Sequence, residues 1–421
     1  MQPFPYARTF ILGLGFFGIS IIWPLFNSLI PPMLEDLGLS ALVVGFILTW
    51  DNIINMFVQP WVGSRSDRTR TRIGRRKPFL LLGAPMAALF FILVPFVREN
   101  LFLIGMAILG TNIGMAIFRS PTVAYLGDLF RPDERSKANG VINLMGGMGA
   151  AAALFGGGAL YKIGVPLPFI VGSGAMLLST AVVLLYVNEP EIEGDVPDQE
   201  KAPGLVENLR LVAAGPNKNG IYLLAAIFFW FVGWNAMEAF FTIYARNVLQ
   251  IEVGTATQML TAFAAALLLF AIPSGMLAEG ASIRLRFFST SLGTLRIPRF
   301  GRKSTILIGL TGMVVGAVAG FFIRNPTMLL VILAMMGAFW AFVNINSLPM
   351  VYDLGGEERI GALTGLYYFS SSAAAITGPI LGGWLIDLTS HSWLWIFSAI
   401  FLGLAAFSMT RIRVKETAQQ V

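Results

Sequence analysis

Cysteine is missing from all 421 residues, and histidine occurs once, at His391. The first absence excludes disulfides, zinc–thiolate sites and iron–sulfur clusters. The second leaves a lone imidazole near a helix end, with no metal partner beside it. Charge is scarce too: Asp, Glu, Lys and Arg make up 12% of the chain, about half the share a soluble domain carries. So few charges cannot coat a soluble body of this length. There is no nucleotide-binding loop, nucleophile motif or cluster of metal-ligating residues, so the chain reads as neither an enzyme nor an ATP-driven pump, and it implies no cofactor. The alternating segments of about ten residues that mark a membrane barrel are absent as well.

What the chain has instead is apolar length. It is 56% hydrophobic, with 34 Phe, and apolar windows fall near 8–30, 40–62, 78–97, 101–126, 138–161, 166–187, 219–243, 254–278, 304–323, 327–350, 360–384 and 391–409. Each is close to the ~20 residues that a helix needs to cross the hydrocarbon core, where only helices and closed barrels satisfy the backbone. The expected fold is an all-α polytopic membrane protein with 12 transmembrane helices. The run at 10–30 is too long for a signal peptide and lacks a small-residue cleavage site. Residues 1–187 read as an N-terminal six-helix bundle, 188–218 as a cytoplasmic linker, and 219–421 as a second six-helix bundle with an inserted loop at 280–300. The linker's acids and prolines predict flexibility, with a short surface helix over 204–213.

The net charge of +6 does not point to nucleic acid, because it is distributed by loop. Lys and Arg in the even-numbered loops and the two tails total 24; the odd-numbered loops hold four, Arg98, Lys162, Arg246 and Arg324. That asymmetry predicts cytoplasmic termini, and the short loops and tails suggest a bacterial inner membrane. The densest loop, between Gln59 and Phe79, packs seven cations and one acid, Asp67.

The two halves repeat one another. Arg72-Ile73-Gly74-Arg75-Arg76 before span 3 matches Arg299-Phe300-Gly301-Arg302-Lys303 before span 9 at an offset of 227, and Pro121 matches Pro349 at 228. Asp133-Glu134-Arg135 recurs as Glu357-Glu358-Arg359, and Gly140, Gly157 and Gly158 match Gly365, Gly382 and Gly383 at 225. Matches in the same order at nearly constant offset mean duplication. Glycine- and alanine-rich stretches of spans 5 and 11 allow close helix approach, either as a sliding seam or as plain packing.

A duplicated six-plus-six bundle with basic cytoplasmic loops resembles the major facilitator superfamily. Gly63…Asp67-Arg68…Gly74-Arg75-Arg76 is similar to that superfamily's signature in the loop between spans 2 and 3. The longer run from Gln59-Pro60-Trp61-Val62 through Arg75-Arg76-Lys77-Pro78-Phe79 resembles the sucrose:proton symporters and their animal and bacterial relatives. Arg119-Ser120-Pro121 and Ser136-Lys137-Ala138-Asn139-Gly140 look like the bacterial branch, and Trp50-Asp51-x-x-x-Asn55 is similar to melibiose-type glycoside symporters. Two positions depart from the sucrose pattern: Asn112 stands where an acid is usual in span 4, and Val123 where an arginine is usual. Arg119 lies one turn from Val123 on the same face.

Ionisable groups within a span are expensive unless paired or hydrated, so Asp51, Arg119 and Glu238 each need a reason. The resemblance implies a cavity lined by spans 1, 4, 7 and 10, which carry Asn27, Asn112, Arg119, Trp234, Glu238, Trp340, Asn344 and Asn346. Trp23 and Asn27 match Trp234 and Glu238 at an offset of 211. Amides, carboxylates and arginine supply donors and acceptors for hydroxyls, and tryptophan supplies a flat face for a pyranose ring. Glu238 is the first candidate proton carrier and Asp51 the second; the bland alternatives are a permanently protonated cross-link at Glu238 and an Asp51–Arg119 ion pair that serves folding. Sodium is a further option through Asp51 and Asn55. The resemblance also implies a cytoplasmic gate in which Asp67, Arg68, Arg72, Arg75 and Arg76 meet Asp128, Glu134 and Arg135. The bland reading is that these arginines only fix topology and touch anionic lipid. The insert at 280–300 reads as an interfacial amphipathic segment, a mobile decoration or the product of a faulty gene boundary.

The expected function is secondary active transport of a glycoside or small oligosaccharide, coupled to protons by alternating access. The alternatives are a proton-coupled exporter of sugars or drugs and a non-transporting sensor on the same fold. The expected partners are the glycoside and membrane lipid, with no nucleic acid and no obligatory protein partner.

Overall fold

The computed structural model describes residues 5–189, 218–287, 290–355 and 360–413. Twelve helices among the described residues are long and apolar enough to cross a membrane. The first six spans are α1 (Tyr6–Asp36), the pair α2 (Ala41–Leu48) and α3 (Trp50–Arg68), α4 (Lys77–Leu93), α5 (Leu101–Leu129), α6 (Pro132–Ile163) and α7 (Leu167–Tyr186). The other six are α8 (Asn219–Leu249), α9 (Val253–Glu279), α10 (Arg302–Phe322), α11 (Pro326–Gly355), α12 (Ile360–Leu388) and α13 (Trp393–Thr410). Most helices outrun their apolar windows, because the charged residues that end a window still complete the last helical turns in the headgroup region.

Between α9 and α10 lies a two-stranded antiparallel hairpin, β1 (Ala281–Phe287) and β2 (Thr290–Ile297), with Ala281 paired to Ile297 and an irregularity at Leu285/Arg286. The expected insert is therefore a hairpin added to an otherwise helical chain, an element the apolar windows could not reveal. Gly280 and Gly301, both with left-handed backbone, flank it at φ +77° and +79°. The linker expectations at 204–213 fall outside the described residues.

The chain divides into two compact units. The first is Met1–Gln199 with Glu238–Ala264 and Pro379–His391; the second is Glu200–Met237, Ala265–Gly378 and Ser392–Val421. In the first, α1 packs on α6 and α7, α4 on α5 and α7, and α3 on α5. Small residues set these approaches: a Cβ added to Gly83 of α4 would sit 2.6 Å from the Phe118 backbone nitrogen, and one on Gly114 of α5 2.5 Å from that of Ala87. In lipid such backbone contact replaces the hydrophobic drive of a soluble core. In the second unit α10 packs on α11 and α13.

Candidate functional site

Span 2 is interrupted where its first candidate residue stands. Thr49 joins α2 to α3, its Oγ1 donating to the Phe46 carbonyl at 2.7 Å, and Asp51 falls in the first turn of α3. An acid there suits the positive end of a helix dipole. Asn52 Nδ2 donates to Asp51 Oδ1 at 2.7 Å, and Arg119 of α5 and Glu238 of α8 both lie within electrostatic reach of Asp51. Glu238 Oε1 in turn accepts from Asn27 Nδ2 of α1 at 3.0 Å. Four predicted residues from four spans are thus brought together. Asn112, two turns before Arg119 on α5, is buried, and neither its amide oxygen nor its amide nitrogen has a hydrogen-bond partner among the described residues; Asn55 Oδ1 is buried without one among them as well.

The pairing of Asn27 with Glu238 has a regular basis. The offset of 211 that aligns span 1 with span 7 in sequence is also the separation of this pair, and Arg246 and Glu35 form an ion pair at the same separation. Two positions of α1 thus meet their counterparts in the part of α8 that belongs to the same compact unit.

The second unit holds an aromatic cluster. Trp234 stacks on Trp340 with centroids 5.4 Å apart and planes 25° from parallel. Phe231 meets Trp340 edge-on at 5.6 Å and Tyr367 at 6.4 Å, and the Tyr367 and Ser347 hydroxyls lie 3.1 Å apart. Asn346 donates its amide to the Phe342 carbonyl of its own helix at 3.0 Å, so that donor serves α11. Asn344 is partly buried, and its backbone carbonyl accepts from Ser347 Oγ at 2.8 Å.

The signature loop is built around Asp128. Arg75 pairs with Asp128 Oδ1, and Arg76 Nε donates to Asp128 Oδ2 at 3.0 Å. Arg76 also pairs with Asp67 and donates to Ser66 Oγ. Burial opposes the Arg76 charge, but Asp128 and then Asp67 outweigh it and raise its pKa. Arg68 and Arg72 are exposed and stand outside this network. Glu134 and Arg135 cap helices instead: Glu134 accepts the Arg131 amide at 3.3 Å, and Arg135 donates to the Phe130 and Gly127 carbonyls at the end of α5. These two sit at a helix junction, and their hydrogen-bonding capacity goes to orphaned backbone groups rather than to the other charges.

Two features escaped the sequence. Glu189, assigned there to the linker, accepts the backbone amides of Arg75, Arg76 and Lys77 at 2.6–3.1 Å and the Tyr125 hydroxyl at 2.7 Å. It caps α4 from the far end of the bundle sequence. At the opposite end of the first unit, Glu35 pairs with Arg246, accepts from Asn247 at 2.7 Å and lies 3.1 Å from His391 Nε2. Asp387 accepts the amides of Ala41 and Leu42, both at 2.8 Å. The repeat of 211 was the one sequence signal that could have paired Glu35 with Arg246.

The family model described as Major Facilitator Superfamily matches residues 10–297 and 297–420. The chain belongs to the Major Facilitator Superfamily. It is accordingly an integral, multi-pass membrane protein. Curated relatives within reach include a sucrose transport protein of Arabidopsis thaliana, 31% identical over 148 residues, 30% of this chain and 25% of that protein. Another is the human protein named proton-associated sugar transporter A, 26% identical over 229 residues, 48% of this chain and 30% of that one. The chain thus spans a quarter to under a third of the length of these two relatives. Among solved structures, a D-xylose-proton symporter superposes with a TM-score of 0.71 at 15% identity, over 100% of both chains. The nucleoside transporter NupG superposes at 0.69 and 14% identity, over 97% of this chain and 100% of that one. At such identities these structures establish the shared fold.

Proposed function

We propose that this member of the superfamily is a secondary transporter of a neutral, polyhydroxylated solute, a glycoside or small oligosaccharide, and that it is coupled to protons through Glu238 with Asp51 beside it. The observation that carries this reading is the cluster in which Asn27 donates to Glu238 at 3.0 Å while Asp51 feels both Glu238 and Arg119. Two carboxylates and one guanidinium sum to one negative charge, so a single proton brings the cluster to neutrality. An uncompensated charge within a span is far costlier than a balanced cluster. Protonation therefore decides when the protein reorients cheaply.

The substrate class rests on different groups. The buried Asn112 amide has a donor and an acceptor to satisfy, and a sugar hydroxyl offers both. The stacked Trp234 and Trp340 suit the apolar face of a pyranose ring. The likeness to a sucrose transport protein and to a proton-associated sugar transporter supports the same class. The loop charge asymmetry supports cytoplasmic termini.

The test is uptake of labelled sucrose and maltose into proteoliposomes under imposed proton and sodium gradients, with wild type and Glu238→Gln. Accumulation driven by an inward proton gradient, lost in Glu238→Gln while counterflow exchange persists, is the expected result. Undiminished accumulation by Glu238→Gln removes Glu238 from the coupling role, and no uptake of either sugar under any gradient removes the glycoside assignment.

A further inference from the structure

Where spans 2 and 3 are joined, the first unit has a partly open cavity of about 850 Å³, within the volume range of small-molecule sites. Four cations line it, Arg70, Arg72, Arg75 and Lys77, against one acid, Glu189. That acid is already committed to the amides of Arg75, Arg76 and Lys77 and to the Tyr125 hydroxyl, and the Arg75 side chain is answered by Asp128. The positive surplus therefore falls on Arg70, Arg72 and Lys77. Arg70 Nη1 donates to the carbonyls of Asp67 at 2.7 Å and Thr69 at 3.1 Å. This pins the guanidinium to the loop while using only part of its five N–H groups. Arg72 is exposed and makes none of the described hydrogen bonds.

The loop is held in shape before any ligand arrives. Thr71 Oγ1 donates to the Gly74 carbonyl at 2.5 Å, the Gly74 amide returns to Thr71 at 3.1 Å, and Gly74 adopts φ +116°. Leu81 of α4, Leu184 of α7 and Ile73 form an apolar wall, beside the polar side chains of Thr69 and Asn188. Leu81 is 50% exposed and Leu185, next to Leu184, 75%, so this wall continues into the surface that two spans present to lipid. A cationic rim over an apolar wall at the end of a span matches a phosphate group with hydrocarbon attached. Guanidinium forks match phosphate oxygens in geometry as well as charge.

We propose that this cavity binds a phosphate-bearing anion, and that its apolar wall selects the headgroup of an anionic phospholipid. A soluble phosphate anion shares the same chemistry and is separated from lipid by the experiment. Full-length protein in neutral detergent is titrated with phosphatidylglycerol or phosphatidylcholine and the bound lipid counted by native mass spectrometry. The variants are R70Q/R72Q and, as a control of equal charge in the last turn of α3 outside the cavity lining, R65Q/R68Q; all four side chains are exposed.

Phosphatidylglycerol should be preferred over phosphatidylcholine. R70Q/R72Q should weaken it about 25-fold, at roughly fivefold per basic residue, while R65Q/R68Q stays close to wild type. In a second arm, inorganic phosphate is added: failure to displace phosphatidylglycerol assigns the site to lipid, and full displacement at millimolar concentration assigns it to a soluble phosphate. Equal binding of the two lipids, or equal loss in both variants, overturns the proposal.

Discussion

The signature loop occurs twice, and the two copies use the same charges at different depths. In the first unit Arg75 and Arg76 share Asp128, with side-chain exposures of 11%, 5% and 12%. In the second, Arg302 pairs with Asp353 and Glu279, with exposures of 26%, 53% and 65%. Arg302 follows Arg75 by 227 residues and Asp353 follows Asp128 by 225, so the acid–arginine pairing descends with the duplication. What differs is the company it keeps. The first copy is roofed by Glu189 and Tyr125, whereas the second is interrupted by the hairpin. A shared motif thus becomes a buried network in one unit and a solvated ion pair in the other, and water decides what each contributes.

The largest separation of the two copies should come from Asp128→Asn. It strips two arginines of one carboxylate and leaves the buried Arg76 undercompensated, which costs about 3 kcal/mol or more, read as a lower melting temperature of the purified protein. Because Arg76 has a raised pKa, its stabilising charge is present below the unfolded guanidinium value and lost only above it. Its own charge should therefore give the melting temperature no pH dependence in the neutral range.

Gly74→Ala should come next, at roughly 2 kcal/mol. The residue sits at φ +116°, and an added Cβ would stand 2.6 Å from the Glu189 carboxyl carbon. Its counterpart Gly301→Ala has the same kind of backbone, φ +79°, with nothing within 4 Å of the new Cβ, so it should cost less, about 1 kcal/mol. The gap between these two melting shifts reports the Glu189 contact together with the difference in backbone conformation.

Glu189→Gln keeps an acceptor but removes the charge at the head of α4, and about 1 kcal/mol is expected from lost capping and dipole interaction. The smallest effect belongs to Asp353→Asn, below about 1 kcal/mol and fading with added salt, as exposed pairs do. If Asp353→Asn destabilised as much as Asp128→Asn, the contrast between the copies would collapse.

Much of this could be read beforehand from particular residues. The number and order of the spans followed from hydropathy because lipid leaves the backbone no alternative to helix. Asp51, Arg119 and Glu238 stood out because charge within a span is rare and costly, and the structure brings Arg119 and Glu238 within reach of Asp51, with Asn27 on Glu238. Arg68 and Arg72 looked equivalent to Arg75 and Arg76, yet only the latter two point into the bundle. Loop arginines of identical chemistry are sorted by backbone direction, which composition does not encode. Glu134 and Arg135 were drawn away by nearby helix ends, whose orphaned carbonyls and amides compete for any charged side chain.

Composition and repetition by themselves determined the helical membrane class, the number of spans and the duplication, because those follow from local hydropathy and from likeness along the chain. The hairpin, the seat of Glu189 on α4, the tie of Glu35 to Arg246 and His391, and the unequal depth of the two signature loops were decided only by tertiary structure. Each depends on which distant segment arrives beside a charge and how far it excludes water, and such meetings, 114 residues apart for Glu189 and Arg75 and 356 for Glu35 and His391, leave no local trace in sequence.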